Sequence, residues 1–216
     1  MIIAKNIKFS YGHLKVLKDI SLEINKGEFI SIIGSSGAGK TTLLNILGTL
    51  QKLQYGSLKI NNQEIKNLND TQLSSFRNEH IGFVFQFHNL LPEFTVLENV
   101  CLPALINKGN KVKIEQKAKQ ILENLHMTDK INQKPNELSG GEQQRVSVAR
   151  SLINSPTILL ADEPSGNLDS KNANDLHNIL LKLNKEKQQT VVVITHNNDL
   201  AKLADRVIRI EDGKII

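Results

Sequence analysis

Apolar and polar positions alternate near the start of the chain: Ile20, Leu22 and Ile24 are separated by Ser21 and Glu23. This period of two marks a half-exposed strand, so the first stretch of chain, through residue 25, is expected to form antiparallel strands. The pattern then changes. Phe29, Ile30, Ser31, Ile32 and Ile33 are nearly continuous apolar sequence, which suits a strand buried on both faces of a parallel sheet. A glycine-rich loop follows directly, and residues 41–50 read as an apolar helix. Strand, glycine loop and helix open an α/β fold.

From about residue 90 to 151 no strand-like run appears, and the stretch reads as a helical insertion. Ile114, Ala118, Ile121, Leu122 and Leu125 fall on one helical face, with Lys111, Lys113, Lys117 and Lys119 mostly on the other, solvated one. The stretch at 138–145 leads into a helix carrying Val146, Val148, Ala149, Leu152 and Ile153. Two further buried strands are expected at Ile158, Leu159, Leu160 and Ala161 and at Val191, Val192, Val193 and Ile194. Between them Ala173, Leu176, Ile179, Leu180 and Leu183 mark an amphipathic helix. Val207 to Ile210, Asp212-Gly213 and Lys214 to Ile216 read as a closing hairpin. There is no internal repeat or linker, so residues 1–216 are expected to form a single domain with the helical part inserted in it.

Composition narrows the class. Hydrophobic residues make up 39% and charged residues 23%, values of an ordinary globular chain rather than a disordered one. No apolar run approaches the roughly 18 residues of a membrane helix, and the Lys5- and Lys8-bearing start lacks the apolar core of a signal peptide. A cytoplasmic location is therefore expected. The net charge of +5 comes from scattered lysines with only 4% aromatics, which does not form a nucleic-acid footprint; no nucleic-acid partner is expected. Cys101 is the single cysteine, flanked by Val100 and Leu102, and is expected to be a packing residue.

The chemistry begins at Gly34-Ser35-Ser36-Gly37-Ala38-Gly39-Lys40-Thr41, a complete G-x-x-x-x-G-K-[ST] match, with Thr42 following. Glycines let successive N–H groups curl round phosphates, and the helix that follows adds the partial positive charge of its N-terminus. Lys40 should reach the β- and γ-phosphates, and the Thr41 hydroxyl should ligate Mg²⁺. A second carboxylate-bearing strand end is required, and Asp162-Glu163 supplies it: Asp162 for the Mg²⁺ shell, Glu163 to polarise an attacking water.

Which phosphate-loop family this is depends on Leu138-Ser139-Gly140-Gly141-Glu142-Gln143-Gln144-Arg145. The segment resembles the LSGGQ signature of ABC ATPases, with Glu-Gln in place of the final Gln. Ser139, Gly140, Gly141 and Glu142 at a helix start would repeat the anion-binding logic of the phosphate loop. The resemblance spans essentially the whole chain. It implies a P-loop α/β core, an antiparallel β subdomain and an inserted α-helical subdomain. It also implies a two-fold dimer in which each ATP lies between one chain's P-loop and the other's signature. By the same resemblance Tyr11 stacks on adenine, Gln86 senses Mg²⁺ and the water, Ser165-Gly166-Asn167-Leu168-Asp169 forms the seam loop, and His196 contacts the γ-phosphate. His13, His80, His88, His126 and His177 match no station and are expected to be ordinary.

A narrower resemblance lies in residues 86–99, from Gln86 through Phe87, His88, Leu91, Pro92, Phe94 and Glu98 to Asn99. This stretch is similar to the corresponding region of the lipoprotein-releasing group of ABC ATPases. It implies integral membrane partners docking near Gln86 to Asn99 and attachment to the cytoplasmic face of the inner membrane. Three other readings stay open at this point. A related exporter or cell-division-type ATPase would share every catalytic residue. A soluble ABC ATPase acting on DNA or ribosomes would need a long coiled coil or a second ATPase unit, and neither is written in the chain. A non-hydrolysing nucleotide sensor would not need Glu163, Gln86 and His196 all intact.

Overall fold

The computed structural model describes residues 1–107 and 109–216. It opens with two long strands, β1 (Ile2–Tyr11) and β2 (Leu14–Ile24), paired antiparallel as the alternation requires. Next come β3 (Phe29–Ile33), α1 (Lys40–Leu47), β4 (Tyr55–Ile60), β5 (Gln63–Glu64), α2 (Asp70–His80) and β6 (Ile81–Phe85). Three helices follow: α3 (Val96–Ile106), α4 (Lys111–Asn124) and α5 (Gly140–Leu152). The chain closes with β7 (Ile158–Asp162), α6 (Ser170–Lys187), β8 (Thr190–Ile194), α7 (Asn198–Lys202), β9 (Arg206–Glu211) and β10 (Lys214–Ile215).

The strands form two sheets. One is antiparallel, in the order β2-β1-β4-β5. The other has the order β10-β9-β3-β8-β7-β6 and is parallel except for the terminal hairpin. Its central strands are buried on both faces, as their unbroken apolar sequence predicts: every residue of β8 is buried, as are Phe29, Ile30, Ile32 and Ile158 to Ala161. Parallel pairing puts the C-terminal ends of β3, β6, β7 and β8 along one edge, where open α/β sheets place their ligands.

Two apolar cores share this sheet. One face packs with α1 and the antiparallel sheet through Leu43, Leu44, Ile46 and Leu47. The other packs with α3 to α6 through Val100, Ile114, Ala118, Leu122, Val146, Val148, Leu176 and Leu180. Each such side chain, moved from water to full burial, contributes about 1.5–3 kcal/mol. Cys101 belongs to the second core, and burial pushes its thiol up to about 11, as expected of a packing residue.

The structure departs from the sequence pattern at α1, which stops at Leu47, short of residue 50. Gly48 and Leu50 still close backbone bonds onto the helix end, while Thr49 turns to φ 59°. The turn buries Gly48 and Thr49 and leaves Leu50 about half exposed, so the last apolar position of the run does not serve the core. Helix α2 carries no fully buried residue; Leu73 and Phe76, one turn apart, lie half-buried against the first core, and an Asn69–Gln72 capping box fixes its start.

Candidate functional site

The loop between β3 and α1 is held by close packing. At Gly34 the backbone lies against β9, so near that a Cβ there would fall 2.1 Å from the Ile210 carbonyl oxygen; only glycine fits. Lys40 begins α1 with its side chain buried, and Nζ donates to the carbonyls of Gly34 at 3.0 Å and Ser35 at 2.8 Å. Ser35, Ser36 and Gly37 at the loop's crown are exposed, while Ala38, Gly39 and Thr42 are buried beneath it. A cavity of about 340 Å³ opens beside the loop, lined by Gly34, Ser35, Thr195, His196 and Arg209 among others.

Strand pairing brings the remaining groups to this edge. Asp162 ends β7 opposite Phe85 of β6 and Ile194 of β8, so Gln86, Glu163 and His196 leave neighbouring strands side by side. The Thr41 hydroxyl lies beside the Asp162 carboxylate. Burial pushes that carboxyl above the usual carboxylate range, opposed by the Thr41 hydroxyl and the Lys40 charge. Glu163 sits at φ 46°, a left-handed backbone that costs a non-glycine residue about 1–3 kcal/mol and is typical of functional loops. Its Oε2 accepts the His196 N–H at 3.2 Å. Its buried Oε1 lies 3.2 Å from His196 Nε2, outside hydrogen-bond geometry, and has no other partner.

The Gln86 side chain is turned to Asn167. Its amide donates to Asn167 Oδ1 at 3.1 Å, and Asn167 returns a bond of 3.4 Å to the Gln86 carbonyl. Tyr11 stands at the end of β1, about half exposed and edge-on to Phe9. Its ring is free to stack on a planar partner.

At the start of α5, Ser139 and Glu142 form a capping box. The Ser139 N–H and hydroxyl donate to Glu142 Oε2 at 2.8 and 2.9 Å, and Oγ accepts the Glu142 N–H at 3.3 Å. These bonds, with Lys130 nearby, hold the Glu142 carboxyl below its ordinary value. Ser139 and Gly140 are exposed, while Gly141 is pressed against Asn172 at the start of α6, where a Cβ would meet Asn172 Oδ1 at 2.4 Å. None of these four residues lines the 340 Å³ cavity.

Two histidines expected to be ordinary make specific contacts. His88 bonds Gln144 through Nδ1. His177, buried in α6, bonds Ser165 Oγ at 3.0 Å. Burial pushes the His177 imidazole below its ordinary value, with the Asp199 charge opposing. The folded chain therefore keeps this ring neutral while the unfolded chain takes up a proton as pH falls through about 6.5, so stability is lost on acidification. Thermal melts between about pH 7.5 and 5.5 are expected to show a smaller drop in Tm for His177→Gln than for the parent.

Neither Gln144 nor Arg150 stands out as a functional residue in the sequence. Gln144 is fully buried, and its amide donates to the carbonyls of Pro164 at 2.7 Å and Phe85 at 3.3 Å. Arg150 donates to the carbonyls of Asn89 at 2.6 Å and His88 at 2.8 Å. A polar residue one turn before Val148, on the apolar face of α5, is the one trace that the sequence carried of Gln144.

A larger groove of about 830 Å³ lies at the opposite ends of the strands, between α4 and α6, away from every group above.

The family model described as ABC transporter matches residues 17–166. The chain belongs to the ABC transporter ATPase family. Among curated relatives of this ABC ATPase, the "Lipoprotein-releasing system ATP-binding protein LolD" of Cytophaga hutchinsonii is 54% identical, over 99% of this chain and 97% of its own. The protein of the same name from Bacteroides thetaiotaomicron is 52% identical, over 100% and 99%. Among solved structures, the dimeric bacterial ABC transporter cassette MJ0796 superposes with a TM-score of 0.91 at 43% identity, covering 100% of this chain and 96% of that one. A post-hydrolysis state of the same cassette, bound to ADP and Pi, also gives 0.91, at 42% identity and the same coverage. The chain is thus an ATP-binding, ATP-hydrolysing subunit with the expected fold: a P-loop core, an antiparallel β sheet and inserted helices.

Proposed function

We propose that residues 1–216 act as one nucleotide-binding domain that closes as a homodimer on two ATP molecules and drives a membrane partner in lipoprotein release. The observation that carries the composite site is a separation. Gly34, Lys40, Asp162, Glu163 and His196 gather at one sheet edge, while Ser139 and Gly140 stand exposed at the tip of α5 and outside that cavity. A second chain brings its signature to the ATP that the first chain holds, as two-fold symmetry allows. The dimeric form of MJ0796 supports this arrangement.

Each residue then has a task. The N–H groups of residues 34–42 and Lys40 hold the phosphates, with Lys40 leaving the carbonyls of Gly34 and Ser35 to do so. The residues present fit a Mg²⁺ ion: the Thr41 hydroxyl lies beside the Asp162 carboxylate, and Gln86 leaves the adjacent strand. Among the described residues no cluster of three or more His, Cys, Asp or Glu could hold a metal, so the nucleotide's own oxygens would complete the shell. When bound, the ion neutralises charge on the phosphates. Glu163, with a buried and partnerless oxygen, polarises the attacking water, and His196 beside it meets the γ-phosphate. Tyr11 stacks on the adenine, and Ser139, Gly140, Gly141 and Glu142 present the second anion site.

The membrane partner docks on residues 86–99. Phe87 is 70% exposed, and Leu91 and Phe94 also reach solvent, so the loop offers large apolar side chains. It is also firmly built. Fully buried Asn99 accepts the Leu91 N–H at 2.9 Å and donates to the carbonyls of Leu91, Phe94 and Thr95 at 3.0–3.1 Å. Among the described residues no helix is long and apolar enough to cross a membrane, so attachment to the cytoplasmic face of the inner membrane would come through this docking. The names of the relatives support lipoproteins as the cargo.

The test is a pull-down. Tagged Glu163→Gln protein is expressed in its own cells, membranes are solubilised with ATP present, and copurifying proteins are identified by mass spectrometry. The expected result is a membrane protein with a few spans and a large extracytoplasmic domain, bringing lipoproteins. An efflux or cell-wall partner would overturn the cargo and leave the ATPase intact. Ribosomes or DNA in place of a membrane protein would overturn the transport role.

A further inference from the structure

We infer that Gln144, assisted by Arg150, is a positioning residue that makes hydrolysis in one ATP site depend on occupancy of the other; the inference rests on the composite dimer just described. The argument starts from what the Gln144 amide touches. Its two donor bonds end on the carbonyl of Phe85, the residue before Gln86, and on the carbonyl of Pro164, the residue after Glu163. Its oxygen faces His88, two residues beyond Gln86. One buried side chain therefore spans the backbone flanking both groups that must align on the water. Arg150 grips the same loop further on, at the carbonyls of His88 and Asn89, and Asn89 itself sits at φ 50°. A side-chain amide with all these bonds made inside a packed core is costly to disturb and fixes the parts it joins.

The other end of α5 gives these bonds their consequence. Gln144 lies in the second turn of the helix whose cap is Ser139. In the dimer that cap faces the nucleotide held by the other chain, whereas Gln86 and Glu163 act on the nucleotide held by their own. Helix α5 runs unbroken from the Ser139 cap through Gln144, so a shift at the cap moves Gln144 with it. The bonds to Phe85 and Pro164 pass that shift to Gln86 and Glu163. Each chain thus reads the partner's ATP through its signature and adjusts its own water-activating groups through Gln144. The linkage is a packed two-ended element, not a property of the distance between sites.

The experiment uses the full chain and measures ATP turnover against ATP concentration together with binding of a fluorescent ATP analogue. With two coupled sites the parent is expected to show a Hill coefficient approaching about 2. Gln144→Leu is expected to bind the analogue as the parent does, lose about ten- to a hundredfold in kcat through misplacement of Glu163 and Gln86, and drop to a Hill coefficient of about 1. In a Glu163→Gln background it should still form the ATP-dependent dimer, which a variant with a merely damaged signature would not. Arg150→Lys keeps the charge but loses the fork, and is expected to show the same losses to a smaller degree. A folded Gln144→Leu with the parent's kcat and Hill coefficient overturns the inference. Should Gln144→Leu fail to fold, a folded Arg150→Lys with unchanged kcat and cooperativity overturns it instead. A non-cooperative parent that still dimerises with ATP also overturns it, while a parent that never dimerises with ATP removes the composite site beneath it.

Discussion

Glu163→Gln is expected to lower ATP turnover by about 10²- to 10⁴-fold, the usual contribution of a positioned proton acceptor, and to leave ATP binding intact. Glutamine keeps the size of the side chain and an oxygen that can accept the His196 N–H, so the left-handed turn at 163 keeps its support. What it loses is the negative charge and the basic oxygen, which in the parent is buried without a hydrogen-bond partner. With ATP bound and hydrolysis blocked, two chains should stay closed. Light scattering in Mg²⁺ and excess ATP is expected to give the mass of a dimer that persists, where the parent returns to monomer as ATP is consumed. A variant that stays monomeric would remove the composite site. Undiminished turnover would take water activation away from Glu163.

Lys40→Ala is expected to weaken ATP binding by about ten- to a hundredfold, since a charge-assisted bond to phosphate is worth about 1.5–3 kcal/mol. Turnover should fall further, because the same ammonium faces the charge that moves in phosphoryl transfer. Without nucleotide the Lys40 side chain also ties the carbonyls of Gly34 and Ser35. The substitution therefore loosens the loop as well as removing its charge. Titration with a fluorescent ATP analogue reads the loss of binding, and a thermal melt beside it reads any global effect of replacing this buried side chain. Unchanged affinity and turnover would sink the phosphate-binding role of the loop.

Taken together the two substitutions divide the site's work. In the proposed function Lys40 acts on nucleotide at the stage of binding and Glu163 on the water after the dimer has closed. On that proposal ATP would be held and hydrolysis withheld until the second chain arrives, leaving an interval in which a membrane partner would act.

Much of this was legible in the chain because it is written in local spacing. The phosphate loop needs its glycines and Lys40 within eight consecutive positions, so Gly34 to Thr41 announces itself. The buried strands Phe29–Ile33 and Thr190–Ile194 are continuous apolar runs that have no other use. The capping-box spacing of Ser139 and Glu142 gives the start of α5. By contrast, the end of α1 is not legible, because what stops the helix at Gly48 is the close approach of Phe83, 35 positions on, where a Cβ would fall 2.3 Å away, and Leu50 beyond it stays exposed. The contacts of His88 and His177 leave no local pattern, because their partners, Gln144 and Ser165, lie 56 and 12 positions away.

The sequence by itself determined the chemistry: a phosphate loop, an acid pair at a strand end, a histidine after another strand and a signature helix, each a pattern of neighbours along the chain. Only the tertiary structure decided how these parts are wired. Parallel pairing of β6, β7 and β8 sets Gln86, Glu163 and His196 side by side, and the fold buries Gln144 between the first two. The physical reason is that backbone carbonyls carry no residue identity. A side chain that grips Phe85 and Pro164 by their carbonyl oxygens leaves no mark at those positions, and the bond exists only once the fold brings them together.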